Sequence, residues 1–380
     1  MKRERNYGID LLRILSMFMV VILHIIGYSG LMERDTSVGT FGYASSWLLE
    51  SAAYCAVNIF SMITGYLMTD RPFRYKKILP LWTQAFFYSV VLTFILFPFL
   101  RSSIGIKNFI LSPFVVSLGK YWYFTAYFCM FCFIPFLNAL TEKISKKQFT
   151  ALIVTCVTLF SIVPAVFIHD IFYLNNGYSA FWLMTMYLLG AYIKKYGISE
   201  KIKSWVSVVL YGFAVFLPWA SRMVLTIFDG RIGESVMAKL EKCLYNYTSP
   251  TMVIAAFALF ALFAKIRIKE KGLLFSFTKL SPYTFAVYLI HMHPLVKTCI
   301  LAEFCCILKE LPGYLSVVSV LCVAAVVFFI CIAVERLRVL IFKLLRINEG
   351  LDKLSDFVGR MYHKSKLGKK LEGFFETTDR

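Results

Sequence analysis

Arg13 and His24 stand in a stretch that is otherwise almost wholly apolar, GIDLLRILSMFMVVILHIIG. At 100° per residue their spacing puts them within about 20° of one another on a helix, roughly 16 Å apart along its axis. They share a face. Asp10, one turn before Arg13, is placed to pair with the guanidinium or to orient it. A guanidinium presents a planar fork that matches phosphate oxygens, and an imidazole, titrating near neutrality, is a usual general base. The pair therefore suits a phosphate-bearing donor held at one end of a long, thin arm, with a proton removed at the other. The plainer account is that Arg13 snorkels to lipid headgroups and His24 bonds a neighbouring helix.

A second imidazole occurs in SPYTFAVYLIHMHP. His291 is expected near mid-membrane, roughly 15 Å beyond the inner end of its span, on the helical face of Tyr288. His293 points about 200° away, so His291 is the one expected to share a cavity with His24. His169, beside Asp170, reads as a solvated residue at an outer span end. The segment RPFRYKKILPLW concentrates Arg71, Arg74, Lys76 and Lys77. It is either topogenic charge or a phosphate clamp, in which Arg74 and Lys77 would assist Arg13. Cys129 and Cys132 form a CxxC that no second pair or nearby histidine completes, so packing is expected and no metal site is predicted.

These residues need elements that hold them in a bilayer, because 59% of the chain is hydrophobic and only 17% charged. Apolar runs recur from end to end, near 8–28, 47–69, 79–99, 121–140, 150–169, 177–194, 204–224, 250–266, 281–303 and 313–335. Each is long enough to cross roughly 30 Å of hydrocarbon as a helix, and too long for a barrel strand. The predicted fold is all-α and polytopic, with about ten transmembrane helices. The net charge of +19 raises nucleic acid as a partner, but the basic residues are sorted by loop. Alternate loops, beginning with the N-terminal one, hold 30 of the 41 Lys and Arg residues, and the intervening loops hold 8. That bias predicts both termini in the cytoplasm and excludes a nucleic-acid partner. A small-residue cleavage site is absent before Glu33, so the first span is expected to be retained. No soluble catalytic domain is visible, which leaves the chemistry to a membrane domain over 1–335. The tail, 336–380, alternates basic and apolar positions at helical spacing. It suits either a helix on the anionic inner leaflet or one packed on the protein's own loops.

The first span resembles that of the acyltransferase family 3 membrane proteins, with Asp10, Arg13 and His24 in the family's aspartate, arginine and histidine positions. The resemblance continues through NIFSMITGYLM at Thr64, Gly65 and Tyr66, RYKKILPLW, YWYF around Trp122, PFLN at Pro135 and Asn138, LLGAYI around Gly190, and YLIH ending at His291. It implies a ten-helix acyltransferase that takes an acyl group from acyl-CoA, usually acetyl-CoA, and modifies hydroxyls of surface polysaccharide or lipid-linked saccharide in bacterial plasma membranes. Relatives often carry more arginine after the second span, where Lys77 stands here. The extracytoplasmic hydrolase-like domain fused to some relatives is also missing from this sequence.

Taken together, His24 is the expected base and His291 its helper in orienting the acceptor or relaying protons. Arg13, Arg74 and Lys77 are the expected donor-binding groups, supported by Asp10. An acyl-histidine at His24 is an alternative use of the same residue. The rival function is a lipid-linked saccharide flippase or exporter, whose pathway intramembrane Arg and His would line.

Overall fold

The computed structural model describes residues 5–33, 39–71, 73, 77–99, 105–228, 236, 239–240 and 243–364. These residues are mostly helical, with no strand among them. The main helices are α1 (Tyr7–Ser29), α2 (Phe41–Met68), α3 (Ile78–Leu96), α4 (Trp122–Lys143), α5 (Lys146–Phe167), α6 (Ala180–Tyr196), α7 (Ser204–Ile227), α8 (Pro250–Ala264), α9 (Gly272–His291), α10 (Ser316–Leu344) and α11 (Ile347–Lys364). Among the described residues, eight helices are long and apolar enough to cross a membrane. The other two expected spans correspond to α6 and α8, of 17 and 15 residues.

Helix α1 is the axis of the bundle, packed against both halves of α2 and against α8, α9 and α10. Its ends are set locally. The Asn6 side chain accepts the Ile9 N–H, and Gly30 ends the helix at φ 73°, a left-handed turn that a Cβ disfavours. Helices α2 and α6 meet backbone to backbone at two glycines. A Cβ added at Gly65 would lie 2.0 Å from the Tyr187 carbonyl oxygen, and one at Gly190 would lie 2.0 Å from that of Met62. Small residues at this crossing give the van der Waals contact that holds helices together where lipid supplies no hydrophobic drive.

Three spans, α2, α9 and α10, have boundaries that differ from expectation. Helix α2 begins at Phe41 rather than near 47, capped by the Thr40 side chain, which places Glu50 well inside a helix. The ninth span is α9, 272–291, not 281–303. Pro294 explains this, because it donates no N–H and disfavours helical geometry at His293. The His293 ring accepts the Leu295 N–H instead, and the chain continues to Glu310 in short helical pieces. His291 is thus the last residue of α9, with no helix continuing beyond it in the same register.

Helix α10 runs past the expected boundary at 335, so the proposed tail begins inside it. Near that point the buried carboxylate of Glu335 accepts from Gln84 Nε2 (2.9 Å), Tyr88 Oη (2.6 Å) and both arms of Arg338 (2.8 and 2.7 Å). This ties α10 to α3. Glu335→Ala leaves three donors without their acceptor, and we expect a loss of about 3–5 kcal/mol, read as a lower thermal midpoint of the purified protein. An unchanged midpoint would remove this network from the fold's support. The stripe Leu354, Phe357 and Met361 on α11 is exposed.

Candidate active site

Asp10 organises the N-terminal end of α1. Its Oδ2 accepts from Arg5 Nε at 2.6 Å, and its Oδ1 accepts from Ser281 Oγ at 2.9 Å and lies 3.6 Å from Arg13 Nη1. Arg13 Nη1 also donates to Ser281 Oγ at 3.1 Å. The hydrogen bond to Asp10 raises the Arg5 guanidinium above its ordinary value. Asp10 is buried, whereas the Arg13 side chain keeps 29% of its surface exposed, so the carboxylate steers a guanidinium that can still meet a ligand.

Near the C-terminal end of the same helix, His24 Nδ1 lies 3.0 Å from His291 Nε2, and His291 Nδ1 lies 2.5 Å from the Val287 carbonyl oxygen. These contacts assign the tautomers. A carbonyl only accepts, so His291 Nδ1 carries the hydrogen and its Nε2 presents a lone pair. His24 Nδ1 must then donate, which leaves His24 Nε2 as an acceptor without a proton. That is the protonation state a general base needs. His291 holds it there from one turn beyond Val287, within the geometry of α9. His293 serves another contact, with Nε2 at 3.2 Å from Thr93 Oγ1 and 3.3 Å from the Ser89 carbonyl oxygen.

Two cavities meet at Arg13. The upper one, about 440 Å³, runs between α1, α2, α4 and α9 and is lined by Arg13, Met17, Val20 and His24 of α1. Across from these stand Thr64 and Glu50 of α2, Tyr123 and Tyr127 of α4, and Tyr288 of α9. The lower one, about 1010 Å³, is a basic vestibule with Arg5, Arg13, Arg71, Lys194, Arg267 and Lys269 on its wall, interspersed with Asp10, Glu200 and Glu270. A ligand lying across both would pass the Arg13 guanidinium on the way to His24.

The structure thus joins Asp10 to Arg13 and His291 to His24, but His291 does not share the cavity as expected: it stands behind His24 and lines neither cavity. Lys77 is exposed at the start of α3 and lines neither cavity, and Arg74 lies outside the described residues. His169 is exposed and Asp170 caps its own loop, accepting the Leu174 and Asn176 N–H groups. Among the described residues no group of three or more His, Cys, Asp and Glu could hold a metal ion. Sequence reasoning missed Lys194, Arg267 and Lys269, which count there only as loop charge. It also missed Glu50, whose burial depends on where α2 begins.

No curated protein and no solved structure matches the chain. A family model described as an acyltransferase domain matches residues 6–336, from the turn before α1 to the middle of α10. That span contains both cavities' α1 wall, the histidine pair and the glycine crossing, and the chain belongs to acyltransferase family 3 as an integral membrane acyltransferase.

Proposed function

We propose that this protein takes an acyl group, acetyl in the first instance, from acyl-CoA at the cytoplasmic face and transfers it to a hydroxyl of a cell-surface carbohydrate. The observation that carries this reading is the junction of a basic vestibule and a narrow cavity at Arg13, with His24 along the narrow one. A nucleotide with several phosphates fits the first and an acyl-thioester arm fits the second. Both termini lie in the cytoplasm, within ten spans of a bacterial plasma membrane. The exposed stripe of α11 rests on the inner leaflet, where its basic neighbours meet anionic lipid.

In the reaction, His24 Nε2 takes the acceptor's hydroxyl proton as the oxygen attacks the thioester carbonyl. The C–S bond then breaks, and the CoA thiolate recovers the proton from His24. His291 is a positioning residue, since it fixes the His24 tautomer and need not touch substrate. Tyr288, whose hydroxyl accepts the Tyr123 N–H at 3.3 Å, keeps its own hydrogen to donate to the oxyanion. Arg13 grips the donor's phosphates.

Purified protein given acetyl-CoA and surface carbohydrate should release free CoA thiol in step with acylated sugar. A flippase or exporter would release none. Arg13→Lys keeps the charge and loses the planar fork, so acetyl-CoA affinity should fall by about tenfold. The vestibule is lined by charged side chains, and binding should weaken further as salt rises. Unchanged affinity in Arg13→Lys would return the residue to headgroup snorkelling.

A further inference from the structure

Glu50 is the acid of the upper cavity, and nothing in the transfer scheme uses it. It is 9% exposed, it lines the cavity, and its Oε2 is buried without a hydrogen-bond partner. A buried carboxyl group left without a hydrogen-bond partner is costly, charged or neutral, unless something meets it. On α2 it begins a stripe of cavity-lining residues, followed by Tyr54, Val57, Phe60 and Thr64. Thr64 lies about 21 Å further along, beside Tyr127 at the Arg13 end, so Glu50 faces the end remote from the donor's entry.

The wall around it is aromatic. The Tyr54 and Tyr247 ring centroids lie 4.9 Å apart, those of Tyr178 and Tyr247 also 4.9 Å, and Trp122 closes on Tyr178 at 4.4 Å. Burial pushes the Tyr247 phenol, outside the spans, well above its usual range, so it stays a hydrogen-bond donor. Aromatic faces beside a carboxylate suit either a cation or a ring that has one apolar face and a rim of hydroxyls. A cation is the poorer match here. Buried Arg222 already brings positive charge to this end, its guanidinium 4.2 Å from the Trp47 ring centre, and Trp47 packs against Tyr245 at 5.0 Å.

We propose that Glu50, with Tyr54, Tyr178 and Tyr247, forms the acceptor subsite of this cavity and binds a neutral saccharide ring, the carboxyl group hydrogen-bonding to its hydroxyls. The ring stacks on the tyrosines and one further hydroxyl is presented to His24. Donor and acceptor then enter from opposite ends. This inference rests on the reading of the cavity as an acyl-transfer site for carbohydrate.

The test uses the full chain in lipid nanodiscs, with wild type, Glu50→Gln and Glu50→Leu compared by saturation-transfer NMR. The probes are methyl glycosides of neutral hexoses and, as a control, tetramethylammonium. Acetyl-CoA binding is measured in the same samples. Wild type should transfer saturation to ring protons of at least one glycoside. Its affinity should drop roughly tenfold in Glu50→Leu and less in the isosteric Glu50→Gln, with acetyl-CoA affinity unchanged within about twofold in both. Donor binding that persists in both variants also shows that the fold has survived. Equal glycoside binding in all three proteins, binding of tetramethylammonium alone, or no glycoside binding in wild type would each overturn the subsite. Failure of acetyl-CoA to bind wild type would instead overturn the transfer reading itself.

Discussion

His24→Ala is expected to lower acyl transfer by about 10²- to 10⁴-fold while leaving insertion, yield and acetyl-CoA binding close to wild type. The factor is what a positioned general base contributes. The ring does not hold α1 in place, because Leu12, Val21, Ile25 and Ile26, all buried, do that on their own. Donor affinity should persist because the phosphate end lies near Arg13, roughly 16 Å away along the helix. His291 offers a finer test of the tautomer argument. His291→Gln retains an oxygen that can accept the His24 Nδ1 hydrogen, so it should keep more activity than His291→Leu at equal folding. If the two variants are equally impaired, His291 acts by some means other than orienting His24. If His24→Ala transfers at near wild-type rate in well-inserted protein, the base lies elsewhere.

Gly65→Val should be the most damaging substitution for the fold. A Cβ there would meet a backbone carbonyl oxygen at 2.0 Å, far inside any real contact, and the obstacle is main chain, which cannot swing aside like a side chain. Helices α2 and α6 would have to separate by ångströms along their whole crossing. Losing that contact also loosens Asn138, whose side chain donates to the Met68 carbonyl at 3.0 Å and accepts from Tyr187 Oη at 2.6 Å. We expect Gly65→Val to fail to accumulate as a monodisperse protein, and Gly65→Ala to be strongly destabilised. Size-exclusion profiles and thermal midpoints of the two variants beside wild type would check this. A monodisperse Gly65→Val protein with a wild-type midpoint would mean that the α2–α6 contact is looser than described.

Much of the inner architecture was legible because one helix carries it. The period of 3.6 residues alone puts Asp10, Arg13 and His24 on one face of α1, and a continuous helix over Tyr7–Ser29 keeps them there. That His291 and not His293 would stand beside His24 followed from residue type and helical face, whereas the end of α9 directly before Pro294 was not foreseen. The basic vestibule was not legible. Its residues come from α1, the end of α2, α6 and the segment 266–270, and no spacing rule connects positions so far apart in the chain. Glu50 was hidden for a different reason: a helix starting near 47 leaves it close to the outer water, whereas one starting at Phe41 buries it. Lys77 had the right charge in the right loop, yet its position at the head of α3 keeps it away from both cavities.

Donor sidedness is the most direct test of the account, which puts the thioester's entry at Arg13 on the cytoplasmic side and its reaction at His24. Acetyl-CoA is multiply charged and does not cross lipid, so the side from which it is consumed reports the side from which it binds. Sealed vesicles with the inner face outward should convert external labelled acetyl-CoA to free CoA when they hold the wild-type protein and not when they hold His24→Ala, whereas right-side-out vesicles should leave it untouched. Consumption by right-side-out vesicles alone, or equal consumption by wild type and His24→Ala, would contradict it.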